Sequence, residues 1–429
     1  MRSDAILGLN SRNHQYTSVY NSKKYKEIAN SKLSTKRALK RGGVSVPKTY
    51  NVVSNTEQLE RFDYGSLPDK GFVIKPNNGL GGEGIMVVDG PGVYAGEWIL
   101  SDGETVNISD MRLHIGDILQ GRYSMDDLQD TAYIEELVRV HPAFEKYAYH
   151  GTPDIRIIVF NKVPVMAMLR LPTEESGGRA NLYQGAVAAG IDISSGVTTY
   201  AIHHKSPINF LPGTRRKLRN IQIPQWSEIL EVAVKSQEVV KLGYLGVDIV
   251  LQPIEGEDAI PMVLELNAQP GLKIQLANRA GLRERLSRIE NLKVTSSKQG
   301  IRIGRALFVD PVLIEKGLGR KTIKTVEEVE VLSLSGERVT VKAKIDTGAD
   351  SSSMDRELAR ELGLLVGHNV LYENYFRSAL GRRKRQVVQG TFYMAGKRVK
   401  SRFSITKRDK LRHKVLIGRR DLDGFMILP

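Results

Sequence analysis

The sequence predicts an α/β (α+β) fold over residues 1–295 and a smaller, mostly β domain over 326–429. Three observations carry this prediction. Up to residue 295, strand-length apolar runs such as 155–160 (IRIIVF) and 163–169 (VPVMAML) stand beside helix-spaced segments such as 226–241. From 326 onward short β-type runs dominate, at 328–332, 338–345, 364–371, 386–394 and 401–405, with one helix-like stretch near 355–363. Between the two parts, 296–325 holds little pattern beyond a short apolar run at 306–314, and reads as a linker.

The elements follow in order. Residues 31–47 read as a helix feeding a turn: Ser31 caps it, Leu33, Ala38 and Leu39 form a partial apolar face, and Gly42 and Gly43 end it. A strand at 71–75 (GFVIK), a loop at 77–84 (NNGLGGEG) and a return strand at 85–88 read as a hairpin. Residues 91–130 mix Gly, Asp and polar side chains with little period, and read as an insertion. Strands are expected at 133–140, 155–160 and 163–169, then a mobile loop at 171–187. After the helix at 226–241 come strands at 246–251 and 261–266, and 279–290 resembles a basic amphipathic helix.

Composition excludes several chemistries. The absence of cysteine removes disulfides, thiol nucleophiles, zinc fingers and iron–sulfur ligation. No apolar run approaches the roughly 18–20 residues of a spanning helix, so a cytoplasmic, non-membrane protein is expected. The net charge of +15 is unevenly placed: residues 1–48 carry +9, 321–429 carry +10 and 49–320 carry −4. A basic protein can bind nucleic acid, but the basic stretch 23–41 lacks the interleaved aromatics of single-strand binders, so nucleic acid is not the expected partner.

Two clusters of residue types point to phosphate chemistry. Lys75 ends a strand and precedes a loop containing Gly79, Gly81, Gly82 and Gly84. Glycines let backbone N–H groups approach phosphate oxygens, although by itself such a hairpin is usually only a turn. Further on, Asp248, Glu265 and Asn267 sit in otherwise apolar strands, where unpaired carboxylates are costly. Glu265 and Asn267 alternate by two and so share a face, giving an all-oxygen set suited to Mg²⁺. Between these clusters lie Arg156, Arg170 and Arg179, placed to stabilise phosphoryl charge.

In order, the pieces are Lys32 in SKL, 43–47 (GVSVP), Lys75 with 77–84, 134–138 (IEELV), 154–156 (DIR), Arg170, 179–181 (RAN), Asp248 and 265–267 (ELN). This set resembles the ATP-grasp superfamily. With 7–13 (LGLNSRN) and 166–190, it is more closely similar to the α-L-glutamate ligase-like branch related to ribosomal-protein glutamate ligases. The resemblance covers 1–295 and implies an ATP-grasp fold, with ATP and Mg²⁺ as cofactors. It implies that Lys32 and Lys75 contact ATP phosphates, and that the 77–84 loop folds over the triphosphate. Glu135, Glu136, Leu137 and Val138 would form the adenine hinge. Asp248, Glu265 and Asn267 would hold Mg²⁺, while Arg156, Arg170, Arg179 and Asn181 would stabilise the phosphoryl and acyl intermediates. The implied reaction adds an amino acid, glutamate, to a peptide or protein acceptor through an acylphosphate.

In the C-terminal part, Asp346-Thr347-Gly348 follows a β run, and 415–422 reads VLIGRRDL. An Asp-Thr-Gly turn is common by itself. The pair of segments resembles the two signatures of retropepsin-like aspartic proteases, over 326–429. That resemblance implies cleavage of the same type of product. A single Asp-Thr-Gly supplies one carboxylate where the chemistry needs two, so a homodimer with Asp346 from each chain is expected. One alternative reading treats this domain as a non-catalytic dimerisation or substrate-binding module. Another is a nucleotide-regulated RNA-binding protein.

Two further signals read as surface. His203 and His204 are adjacent, and neighbours in a strand face opposite ways, which argues against a shared ion. The run 382–385 (RRKR) reads as an exposed β-turn.

Overall fold

The computed structural model describes residues 3–79, 81–124, 128–310, 321–378, 381–408, 411–422 and 424–428. Of the sequence expectations, Leu80 of the glycine loop and residues 311–320 of the linker lie outside these. The chain divides into two compact units, Met1–Asp310 and Pro311–Pro429.

Among the described residues, unit 1 contains two sheets. The first runs β1 (Thr49–Val53), β2 (Phe72–Pro76), β3 (Met86–Pro91), β4 (Glu97–Leu100), β5 (Thr105–Asn107) and β6 (Ala132–Glu136), in spatial order β1-β6-β2-β3-β4-β5. Its apolar face carries Phe72, Ile74, Val88, Ala132 and Ile134. The helix Ile108–Leu119 covers that face with Met111, Ile115 and Ile118, the i, i+4, i+7 spacing of one helical stripe. Asn107 and Asp110 close a capping box at its start, a feature contributing about 1 kcal/mol. The stretch 91–130 supplies β4, β5 and the helix that buries this sheet. Its low periodicity reflects an edge strand of three residues and a helix apolar on one stripe only.

The second sheet comprises β7 (Asp154–Phe160), β8 (Val163–Leu171), β9 (Val187–Ile191), β10 (Thr198–His203), β11 (Ser206–Ile208), β12 (Tyr244–Ile254) and β13 (Glu257–Asn267), ordered β11-β10-β9-β8-β7-β12-β13. The helix Trp226–Val240 buries Ile229, Leu230, Ala233 and Val234 in the same core as Ile157, Val159 and Val247. The helix Ser297–Leu307 also belongs to this unit, with Ile301 and neighbouring Phe308 in that core. The first third of the expected linker is thus a packed helix. Its apolar positions, Ile301 and Ile303, are diluted by Gly300, Gly304 and cations. The helix expected over 279–290 is confined to Leu282–Ser287, because Arg279 takes a left-handed conformation that ends the preceding helix Ile274–Asn278.

Unit 2 is β-rich. Its strands are β14 (Lys321–Lys324), β15 (Val326–Leu332), β16 (Arg338–Asp346), β17 (Ser353–Asp355), β18 (Val370–Ser378), β19 (Gly381–Met394), β20 (Lys397–Thr406), β21 (Val415–Gly418) and β22 (Phe425–Leu428). Seven of them form a sheet ordered β15-β16-β21-β17-β20-β19-β18, and β14 pairs in parallel with β22. The run expected at 364–371 is mostly not strand: a 3-10 turn at Gly367–Asn369 precedes β18. No described helix is long and apolar enough to cross a membrane.

Candidate active sites

Alternation along β2 and β6 sets the first half of the unit 1 site. Phe72 and Ile74 face the core, so Val73 and Lys75 face away from it. Likewise Ala132 and Ile134 face in, leaving Tyr133 and Glu135 on the other side. Glu135 is 1% exposed and forms ion pairs with both Lys75 and Lys36. Burial alone would raise its carboxyl, but Lys75 and Lys36 outweigh burial and hold it below the ordinary value. Lys36 also donates to the Pro47 carbonyl at 2.8 Å. The side chain of Glu135 is thus an anchor for Lys75 beneath the sheet, which limits any adenine-hinge role to its backbone. Glu136 closes β6 against Lys48, whose N–H donates to Oε2 at 3.0 Å. Leu137 and Val138 follow beyond the strand, and Thr152 donates to the Val138 carbonyl at 2.9 Å.

The glycine loop is held at its start. Asp130 accepts from the Asn78 backbone and side chain, each at 2.8 Å. Lys32, on the helix Lys32–Arg41 capped by Ser31, donates to the Gly79 carbonyl at 2.6 Å. Burial, with Lys75 nearby, lowers the Lys32 ammonium below its ordinary pKa. Gly81 and Gly82 have φ of +65° and +86°, a region side chains rarely adopt. Asn181 donates to the Gly81 carbonyl at 2.9 Å, and a Cβ on Gly82 would sit 3.3 Å from Arg179 Cδ. The loop expected to be mobile at 171–187 therefore meets the glycine loop through the two residues picked from it.

The second half lies on one face of the second sheet, and strand register explains it. Asp248 on β12 is directly opposite Glu265 on β13 and Arg156 on β7. Asp154, two residues before Arg156, is opposite Arg170 on β8. A bulge between Asp248 and Ile249 interrupts the ladder there. Arg156 grips Asp248 with Nε–Oδ1 at 2.6 Å and Nη2–Oδ2 at 2.5 Å. Arg170 grips Asp154 at 2.5 and 2.6 Å, and its Nη2 also reaches Asp248 Oδ2 at 2.8 Å. Asn267 Nδ2 is 3.3 Å from the same oxygen. Burial alone would raise the Asp248 carboxyl; Arg156 and Arg170 hold it below the ordinary range. Burial and the Asp248 charge push Asp154 up, against the pull of Arg170.

Like-charged carboxylates directly opposite on neighbouring strands repel. The arginines answer the charge of Asp248. The Glu265 side chain makes no hydrogen bond or ion pair with any described residue, though Lys32 and Arg170 feel its field. An oxygen-only set with one unmatched carboxylate fits a hard divalent cation. Sequence reasoning missed Lys36, Asp154 and Asp130. The signals were present: Lys36 lies one helical turn after Lys32, and Asp154 alternates with Arg156.

In unit 2, Asp346 ends β16, and its Oδ1 accepts from the N–H groups of Gly348 and Ala349 at 3.0 and 3.2 Å. Its register partner across a parallel pair is Gly418 on β21, so the two sequence signatures are neighbouring strands. A Cβ on Gly418 would lie 2.5 Å from the Ser351 carbonyl carbon. The Gly418 N–H donates to Ser352 Oγ at 3.0 Å, and the Ser352 and Ser401 hydroxyls both donate to Asp421. Arg419 and Arg420 pair with Asp350 at 3.2 and 2.7 Å. Asp346 is half-buried, whereas Thr347 and Gly348 are exposed. A groove of about 610 Å³ opens beside this loop, lined by Asp350, Ser352, Tyr372, Phe376, Lys400 and Arg402 among others.

Residues 11–291 match the model of a family described as sugar-transfer associated ATP-grasp. The chain belongs to this family, and its first unit has the ATP-grasp fold. Its cofactors are those of ATP-grasp ligases, ATP and Mg²⁺. Among curated proteins, nothing matches. Solved structures similar to parts of the chain include the ATP-grasp ligase PsnB with a phosphomimetic variant of its minimal precursor, Mg and ADP, at 17% identity and TM-score 0.29. That match covers 59% of this chain and 53% of the PsnB chain, so this chain spans about half of that ligase. Another is the D-alanine–D-alanine ligase from Bacillus anthracis with ATP, at 15% identity and TM-score 0.33, covering 66% and 69%. A third is the Simian foamy virus (mac) protease, at 16% identity and TM-score 0.17, covering 23% of this chain and 90% of that one. Likenesses this low carry no argument about activity.

Proposed function

We propose that unit 1 is an ATP- and Mg²⁺-dependent carboxylate–amine ligase that joins glutamate to a peptide or protein acceptor. The observation that carries this is the convergence of the glycine loop, Lys32, Lys75 and the Asn181 loop in one unit with the Arg156–Asp248–Arg170–Asp154 network. In this reading ATP supplies the phosphoryl group that turns a carboxylate into an acylphosphate, and Mg²⁺ offsets phosphate charge. Glu265, Asp248 and Asn267 would hold the metal. Lys32 and Lys75 bind phosphate oxygens, with Lys75 aimed by Glu135. Gly79, Gly81, Gly82 and Gly84 cover the triphosphate. The backbone of Glu135, Glu136, Leu137 and Val138 reads the adenine.

Arg156, Arg170, Arg179 and Asn181 stabilise the acylphosphate and the tetrahedral adduct. An amine attacks the acyl carbon, phosphate leaves with the C–O bonding pair, and the amine gives up a proton as the amide forms. The protein positions reactants and neutralises charge, as in other phosphoryl transfers. The reading takes the cytoplasm as the compartment.

Unit 2 is, in this proposal, a retropepsin-like aspartic protease that cleaves the same type of product as a homodimer. The Asp346 carboxylate, cradled by two N–H groups on a loop otherwise exposed at Thr347 and Gly348, supports it. Lys400 and Arg402 beside the groove suit an acidic, glutamate-rich chain. The test of the ligase is ADP release that requires both glutamate and a peptide and is lost in Glu265→Ala. Release that needs neither co-substrate contradicts it.

A further inference from the structure

Strand periodicity predicts that His203 and His204 point apart. They do not. His203 ends β10 and pairs with Ser206, so His204 and Lys205 form a two-residue hairpin turn. His204 takes φ +54°, a left-handed conformation in which histidine is enriched, as such tight turns require. The turn brings the second ring to the same side as the first, with ring centroids 4.3 Å apart. Both Nε2 atoms then address one carboxylate on different oxygens: His203 to Glu175 Oε2 at 3.1 Å, and His204 to Oε1 at 2.9 Å.

Glu175 is itself seated. A Cβ on Gly185, at φ +101°, would lie 2.6 Å from Glu175 Cδ, so the half-exposed carboxylate packs directly over Gly185. The Gly185 carbonyl is 2.9 Å from His203 Nε2. Two imidazoles and one carboxylate thus place their ligand atoms within 4.8 Å of one another. Metal–ligand bonds of about 2.0–2.1 Å with tetrahedral angles put ligand atoms roughly 3.3 Å apart. The observed 3.1 and 2.9 Å run to different oxygens of Glu175, and with all three ligand atoms within 4.8 Å of one another the rings draw in around the ion.

We propose that Glu175, His203 and His204 form a binding site for a borderline transition-metal ion, Zn²⁺ foremost, separate from the oxygen-only set at Asp248. Imidazole ligands favour Zn²⁺ over Mg²⁺, so the two ions sort by ligand chemistry. Binding takes the Nε2 lone pair of each imidazole, so the ring proton of each sits on Nδ1 in the complex. Its consequence is mechanical. Glu175 lies on the loop that carries Arg179 and Asn181, and the histidines lie on the β10–β11 hairpin, so the ion fastens that loop to the sheet.

The test is calorimetric titration of Zn²⁺ alone into the full chain with Mg²⁺ saturating, together with hydrogen exchange of residues 172–186. The expected result is one Zn²⁺ per chain and slowed exchange of that loop. Affinity should fall at least ten-fold in Glu175→Gln and in His204→Asn; asparagine tolerates the left-handed turn, which keeps the hairpin. Absence of Zn²⁺ binding in the wild type overturns the proposal. So does equal affinity in a folded His204→Asn protein, which would put the ion on other histidines.

Discussion

Arg156 and Asp248 face each other across the β7–β12 pair and form a two-pronged ion pair with both side chains largely withdrawn from water. Breaking one partner of such a pair leaves a buried charge behind. Arg156→Met should therefore cost about 3 kcal/mol of stability, read by denaturant unfolding. ATP turnover should fall by about a hundredfold or more, since the same guanidinium is assigned to the reacting phosphoryl group. A variant with wild-type turnover would remove Arg156 from the site.

Asp154 acts through Arg170. Asp154→Asn keeps the shape but weakens the grip at 2.5 and 2.6 Å. The expectation is a kcat lower by about tenfold with KM for ATP little changed, because a mispositioned arginine is felt most in the transition state. A rise in KM alone would make Asp154 a binding contributor instead.

Glu135 gives a pH signature. Its folded carboxyl lies below 4.5, because Lys75 and Lys36 outweigh burial. A carboxyl depressed on folding contributes stability that is present above about pH 4.5 and lost as pH falls through the lower folded value. The stability gap between wild type and Glu135→Gln should thus be largest near neutral pH and shrink below about 4.5. A gap constant from pH 3 to 7 would contradict the ion triad.

Asp346→Asn should abolish peptide cleavage while leaving ligation intact. Sedimentation should show dimers at concentrations where cleavage occurs. Cleavage that persists in the variant, or that is catalysed by monomers, would refute the shared dyad and favour a binding role for unit 2.

Much of the fold was legible because period-two alternation reports a residue's face. Asp248, Glu265 and Asn267 stood out as polar positions in apolar strands, and the register sets Asp248 opposite Glu265 and Gly246 opposite Asn267. Partner identity is not encoded in alternation. Glu135 reads as the first residue of a hinge, and only the β2–β6 pairing with the helix Lys32–Arg41 shows that it anchors Lys75 and Lys36. His204 was misread for a different reason: its backbone leaves the strand at that residue, and strand rules stop applying. The elements of 91–130 were not legible because its helix shows one apolar stripe and its strands are three and four residues long.

The central claim is that unit 1 spends ATP to attach glutamate to a peptide. Mass spectrometry of peptide acceptors incubated with the protein, ATP, Mg²⁺ and glutamate tests it most directly. The account predicts mass increments of one glutamyl residue, one ADP released per increment, and neither in Glu265→Ala. ADP formed with no glutamyl product, or a product carrying a sugar in place of an amino acid, would contradict it.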